Sequence, residues 1–147
     1  MKLTVLSLLL LMVAVGSSQD SGQIREVPFN EEFTVKIGDQ VLVRPGVPGK
    51  KVKITFVSVP QDRRCPEGAQ CILPGNAKVE LKFKGSVNGS LSAIVNTDET
   101  PNNVEIPGIR VQLKRLDPPR KAGVEIDPAD YEATLVLSRT VFLRDPN

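Results

Sequence analysis

The residues best equipped for chemistry stand together in one segment, Asp62-Arg63-Arg64-Cys65-Pro66-Glu67-Gly68-Ala69-Gln70-Cys71-Ile72-Leu73-Pro74-Gly75-Asn76, which holds the only two cysteines of the chain. Two cysteines this close in an exported chain are expected to pair, and closing so small a loop restricts the unfolded chain by roughly 2 to 3 kcal/mol in the entropy model. Their spacing is not the C-x-x-C of catalytic dithiols at a helix N-terminus, which argues against redox chemistry. Arg63 and Arg64 beside a braced loop have the planar, forked donors that hold carboxylates or phosphates, and rigidity lowers the ordering cost of binding. The candidate contact surface is Asp62, Arg63, Arg64, Glu67, Gln70 and Leu73, around the Cys65–Cys71 cystine. The alternative reading of the same loop is a structural brace that pins a strand crossover.

Elsewhere the chemistry thins out. There is no histidine, so the commonest general base, metal ligand and partner of a Ser or Cys nucleophile is missing. The acidic pairs Glu31-Glu32, Asp98-Glu99 and Asp127 with Asp130 have neither calcium-loop spacing nor a glycine frame, and each falls in or beside an expected turn. No catalytic residue, metal site or cofactor is therefore assigned. Lys50-Lys51-Lys53 and Arg120-Lys121 are basic clusters without interleaved rings and are read as solvated loop faces. With 19 basic and 17 acidic residues, no Trp and one Tyr, the chain lacks the basic field and stacking rings of a nucleic-acid binder.

The elements that position the loop follow from patterning. Lys2, the apolar run from Leu3 to Val15 and the small residues Gly16, Ser17 and Ser18 have the form of a secretory signal, so residues 1–18 are expected to be removed. The apolar run is too short to span a bilayer, so stable membrane insertion is not expected. Residues 19–30 are polar and aperiodic and are read as a flexible lead-in to a single domain over 31–147. Phe33–Ile37 and Gln40–Val43 alternate around Gly38-Asp39 and suggest a hairpin. Val52–Val59 reads as a strand apolar on both faces near its end, and therefore covered on both sides there. Ala77–Lys84 alternates most cleanly, Asn88-Gly89 signals a turn into Ser90–Val95, and Asp98–Pro107 reads as a polar loop. Asn88-Gly89-Ser90 is also a formal glycosylation acceptor, which the turn alone explains. Ile109–Leu113 resumes the alternation, Asp127-Pro128 starts a helical turn, and Tyr131–Phe142 forms the last strand. About seven short strands separated by Pro and Gly define an all-β fold, an antiparallel β-sandwich that is immunoglobulin-like or a partly open barrel.

Two resemblances add to this. Asp127-x-Ala129-x-Tyr131-x-Ala133 resembles the tyrosine corner of immunoglobulin-type domains, which implies a packing role for Tyr131 with its hydroxyl bonded to nearby backbone. Val57, Asp62, Arg64, Cys65 and Pro66, followed by Cys71-Ile72 and by Gly75-Asn76-Ala77 with Val79, resemble the D-S-R-C-P…C-V-W-A-G-x-A signature of an uncharacterised family of exported bacterial proteins. The Phe33-x-Val35-x-x-Gly38-Asp39-Gln40, Leu116-x-Pro118 and Tyr131-x-Ala133-Thr134-Leu135 segments extend that resemblance over most of the chain. Arg63 stands where the family has a small Ser, and Leu73 where it has Trp. The resemblance implies export and a conserved fold, with no established activity attached.

The sequence thus points to a non-catalytic secreted or periplasmic β-domain. Its expected role is to bind or stabilise a protein or envelope component through the braced basic loop. The alternatives are a protease inhibitor presenting Arg63-Arg64-Cys65 and a carboxylate-based hydrolase.

Overall fold

The computed structural model describes residues 24–46, 50–85 and 89–140. The expected signal segment over 1–18, Asn88 of the expected turn and glycosylation acceptor, and Val141-Phe142 of the expected last strand lie outside the described residues. The described residues form nine strands: β1 (Arg25–Glu26), β2 (Glu32–Lys36), β3 (Gln40–Val43), β4 (Val52–Asp62), β5 (Ala77–Lys84), β6 (Ser90–Asn96), β7 (Asn103–Ile106), β8 (Ile109–Asp117) and β9 (Glu132–Arg139). They make two sheets, ordered β1-β3-β4-β5-β6 and β2-β9-β8-β7. Every pairing is antiparallel except β1 with β3. The architecture is a β-sandwich, and the described strands form no closed barrel.

Alternation explains the layers. On β5, Ala77, Val79, Leu81 and Phe83 are buried while Lys78, Lys82 and Lys84 face water. They meet Ile109, Val111, Leu135 and Leu137 of the opposite sheet in one core. Each such aliphatic or aromatic side chain contributes roughly 1.5–3 kcal/mol on leaving water.

The structure corrects five sequence expectations. The Phe33–Ile37 and Gln40–Val43 strands do not form a hairpin, because β2 pairs with β9 and β3 with β4 in the other sheet. Gly38, at a positive φ of 90°, turns the chain from one layer to the other, and its N–H donates to Phe56 O at 2.8 Å. Such a turn lets Val35 and Val41 enter the same core from opposite sheets. Next, the lead-in is tied down: Arg25–Glu26 pairs with β3, Val27 is buried, Asn30 N–H donates to Leu137 O at 2.7 Å, and the Arg139 guanidinium lies 4.3 Å from the Phe29 ring centroid. Then the end of β4 is not covered on both sides. Register shifts at Phe56/Ser58 and Ser58/Gln61 insert extra residues, leaving Val57 exposed and Val59 packed against the core. A bulge changes which residues face inward without ending the strand.

The Asp98–Pro107 loop, fourth, contains β7, which pairs with β8 from Asn103↔Gln112 to Ile106↔Ile109. Finally, the Tyr131 hydroxyl does not bond nearby backbone; it donates to the Asp62 carboxylate, 69 positions away. The expected turn at Asp127-Pro128 is present as a 3-10 turn over Pro128–Asp130, with Asp127 Oδ1 accepting from Ala129 N–H at 2.9 Å.

Candidate interaction site at the cystine-loop end

Strands β4, β6 and β8 end, and β5, β7 and β9 begin, at one end of the sandwich. The connections that gather there include the cystine loop over 63–76, the 97–102 loop, and the 118–131 segment with its 3-10 turn, besides the 37–39 crossing from β2 to β3.

The cystine loop is an extension of the β4-β5 ladder. Beyond the last rung, Asp62↔Ala77, Arg63 N–H donates to Asn76 O at 2.8 Å and Cys65 N–H to Pro74 O at 3.1 Å. Gly75 makes this neck possible. It has a positive φ of 73°, and a Cβ there would stand 2.1 Å from Arg63 O, a separation no side chain tolerates. The Cys65–Cys71 disulfide closes the tip with a Cα–Cα distance of 6.0 Å. Ala69 N–H donates to Pro66 O at 3.1 Å within the ring. The disulfide is consistent with folding in an oxidising compartment.

The two arginines have opposite fates. Arg64 turns inward: Nε donates to Asp62 Oδ1 at 2.9 Å, and Nη2 donates to Asp62 Oδ2 at 2.6 Å and to Pro118 O at 2.9 Å. Its Nη1 donates to Leu116 O. The Arg64 and Asp62 side chains retain only 13% and 8% exposure. Asp62 also accepts from the Arg64 backbone N–H at 3.1 Å and from the Tyr131 hydroxyl at 3.0 Å. Arg63 is exposed and lies against the Gln61 amide, whose oxygen accepts from Nε at 3.2 Å in the orientation that satisfies both groups.

Burial alone would raise the Asp62 pKa, but the Arg64 hydrogen bonds and charge, helped by the Tyr131 hydroxyl, outweigh it and hold the carboxyl below its ordinary value. The Tyr131 hydroxyl is pushed up, first by burial and then by its hydrogen bond to the Asp62 carboxylate. This trio is a clamp that joins β4, β8 and the start of β9.

Further bonds seat the loop on its neighbours. Arg120 Nη1 donates to Arg64 O at 3.0 Å, and Glu67 N–H donates to Arg120 O at 2.8 Å, so Glu67 and Lys121 form a parallel bridge. On the other flank, buried Asn76 donates to Asn96 Oδ1 at 2.9 Å and accepts from Asp98 N–H at 3.2 Å. Asn96 in turn donates to Pro101 O at 3.0 Å. Amide pairs satisfied this completely hold backbone loops in one arrangement.

Of the residues chosen from sequence, Cys65 and Cys71 form the brace, while Asp62 and Arg64 face into the protein. Arg63, Glu67, Gln70 and Leu73 are exposed around it. The loop also presents Ile72, fully exposed, beside Leu73 at 75% exposure. Val124, on the adjoining segment, is 58% exposed. Ile72 was legible as an apolar residue in a stretch without alternation; Val124 carried no signal beyond being apolar in a polar segment. The acidic pairs do not converge. Asp127 caps the 3-10 turn and Asp98 supports the 97–102 loop. Among the described residues no group of three or more Cys, Asp or Glu side chains stands together.

The fold and the site define a class: a β-sandwich whose cystine-braced loop, locked to two neighbouring loops, presents apolar side chains to solvent. Compared with family models, with curated proteins and with solved structures, the chain matches none of them. The resemblance to the exported bacterial signature thus rests on the residues quoted for it.

Proposed function

We propose that the protein is a non-catalytic, exported contact domain that engages an envelope or extracellular protein through the cystine-loop end. One observation carries the reading. Ile72 and Leu73 are held in water on a loop that is fastened by the cystine, the Gly75 neck and the Asp62–Arg64 clamp. Adjacent apolar side chains on a rigid support gain free energy when a partner covers them, and little ordering cost opposes that gain. Arg63 is the guanidinium beside this tip that remains accessible for a carboxylate on the partner, since Arg64 is committed to Asp62, Leu116 and Pro118. The cystine and the signal-like first residues support export to an extracellular or periplasmic compartment.

The test is affinity capture from native envelope extracts with wild-type protein, Ile72→Ser/Leu73→Ser and Arg63→Ala. Partners that depend on the loop disappear with the double serine variant and weaken with Arg63→Ala, while circular dichroism shows all three folded. Recovery of the same partners in the same amounts by all three proteins overturns the assignment.

A further inference from the structure

Among the described residues, three of the four sheet edges are protected. The outer side of β3 is covered by β1, which is only 2 residues long. Strand β2 carries Glu32 and Lys36 at its ends, and Arg25 Nη2 donates to Thr34 O at 2.7 Å. Strand β7 has 4 residues, includes Glu105 and is followed by Pro107. Charge, shortness, proline and covering groups are the usual means of keeping an edge from pairing.

Among the described residues, the edge at β6 has none of these. Ser90–Asn96 is 7 residues long, uncharged and proline-free, and its register with β5 runs unbroken from Lys78↔Asn96 to Lys84↔Ser90. Its hydrogen-bonding direction follows from one bond. Thr97 N–H donates to Ala77 O at 3.1 Å, so the odd-numbered residues Val95, Ala93 and Leu91 bond to β5. The even-numbered residues point away from the sheet. Asn96 N–H is taken by Pro101 O at 3.0 Å, leaving the N–H and C=O groups of Ser90, Ser92 and Ile94 directed to the open side. Leu91 and Ile94 are both exposed large apolar residues on this strand.

The charge beside the edge selects what would pair there. On the outer face, Lys82 lies opposite Ser92 and Lys84 opposite Ser90, with Lys78 opposite Asn96. Among the described residues none of these three lysines has an ion-pair partner, and Glu80, between Lys78 and Lys82, accepts from Ser58 Oγ on the β4 side at 2.8 Å. Lys53 also lies directly opposite Lys84 on β4, a like-charge pair that disfavours the bare sheet. Serine is small. The side chains of Lys84 and Lys82 can extend over Ser90 and Ser92, where acidic side chains from the next strand position, about 10 Å from β5, can meet them.

We propose that the β6 edge is a docking site for an extended, acidic segment of a partner protein, which adds to the five-stranded sheet as a sixth strand. The backbone groups of Ser90, Ser92 and Ile94 supply the ladder, and alternate carboxylates of the segment meet Lys84 and Lys82, which lie opposite Ser90 and Ser92. A second copy of this chain fits less well. Pairing β6 with itself would bring two lysine-bearing rows onto one continuous face, separated only by uncharged β6 residues. The pairing positions Ser90, Ser92 and Ile94 lie outside the cystine-loop end, which β6 meets only at Asn96, so the docking site stands without the contact function proposed above.

The probes are a short labelled peptide alternating glutamate with valine and its twin alternating lysine with valine, followed by anisotropy and by amide hydrogen exchange. The glutamate peptide is expected to bind at least about tenfold more tightly than its twin. Exchange at Ser90, Ser92 and Ile94 then slows by about tenfold or more, while Leu91, Ala93 and Val95 are unchanged. Ser92→Pro removes an N–H that β5 does not use and should abolish binding. Lys82→Glu with Lys84→Glu, which leaves the backbone edge intact, should invert the preference between the peptides. Equal binding of the glutamate peptide to Ser92→Pro, or unaltered exchange at the three amides on binding, overturns the proposal. So does sedimentation as a dimer, without peptide, in which those amides are already protected, because the occupant is then a second copy.

Discussion

Arg63 and Arg64 are neighbours of identical type, yet substituting each with alanine should have sharply different consequences. Arg64→Ala removes the guanidinium that bonds both Asp62 oxygens, Leu116 O and Pro118 O. The Asp62 carboxylate, at 8% exposure in the intact clamp, is then left with only the Arg64 backbone N–H and the Tyr131 hydroxyl as donors. Breaking one side of a buried ion pair costs about 3–5 kcal/mol because the remaining charge keeps its desolvation penalty. The two surviving hydrogen bonds and the residual access of the pair to water place this case near the lower bound, about 3 kcal/mol. At a urea m-value of about 2 kcal/mol per molar, the midpoint falls by about 1.5 M. Arg63→Ala, exposed and bonded only to the Gln61 amide, should stay within about 0.5 kcal/mol of wild type. Urea titration by far-UV circular dichroism measures both, and emission from Tyr131, the only tyrosine, follows the clamp locally. A loss below about 1 kcal/mol for Arg64→Ala, or an equal loss for Arg63→Ala, would refute the division of labour.

Three further outcomes follow from the same geometry. Because the folded pKa of Asp62 is held low, its contribution is present above the unfolded carboxyl value of about 3.9 and is lost as pH falls through the folded value; in Asp62→Asn, urea midpoints measured across that acid range should lose this part of the decline. Gly75→Ala places a methyl against Arg63 O and should cost more than 2 kcal/mol, whereas Gly68→Ala, at a φ of 77° with nothing within 4 Å, should cost only about 1 kcal/mol of left-handed strain in the same titration. Cys65→Ser/Cys71→Ser should lower stability by about 2 kcal/mol while leaving the far-UV spectrum unchanged, since the neck bonds from Arg63 to Asn76 and from Cys65 to Pro74 do not require the disulfide.

Much of the fold was legible wherever one face of a strand is core and the other water. Ala77–Lys84 is the clearest case, because its alternation has only one way to bury four apolar side chains. Ile109–Leu113 was read correctly as far as Leu113, and there the pattern breaks because a register shift between Leu113 and Arg115 carries Leu116, rather than Arg115, into the core. The same kind of shift in β4 undid the reading of Val57. An inserted residue has no local signature when the residues on both sides favour strands. The β2-β3 error has a different cause: a tight glycine turn is compatible with a hairpin and with a crossing between layers, and the choice depends on which strands lie nearby.

The candidate site divides along the same line. Cysteine spacing is a local property, so the chain itself announced the Cys65–Cys71 pair, the turn residues around it and the absence of histidine. Alternation likewise announced an all-β sandwich. Which arginine faces water, why Tyr131 matters and where the open edge lies were decided by contacts between residues far apart in the chain. Asp62 meets Tyr131 across 69 positions and Arg64 meets Pro118 across 54. Hydrogen-bonding capacity is written in residue type, but its direction depends on strand register and on burial, and these exist only once both sheets have packed.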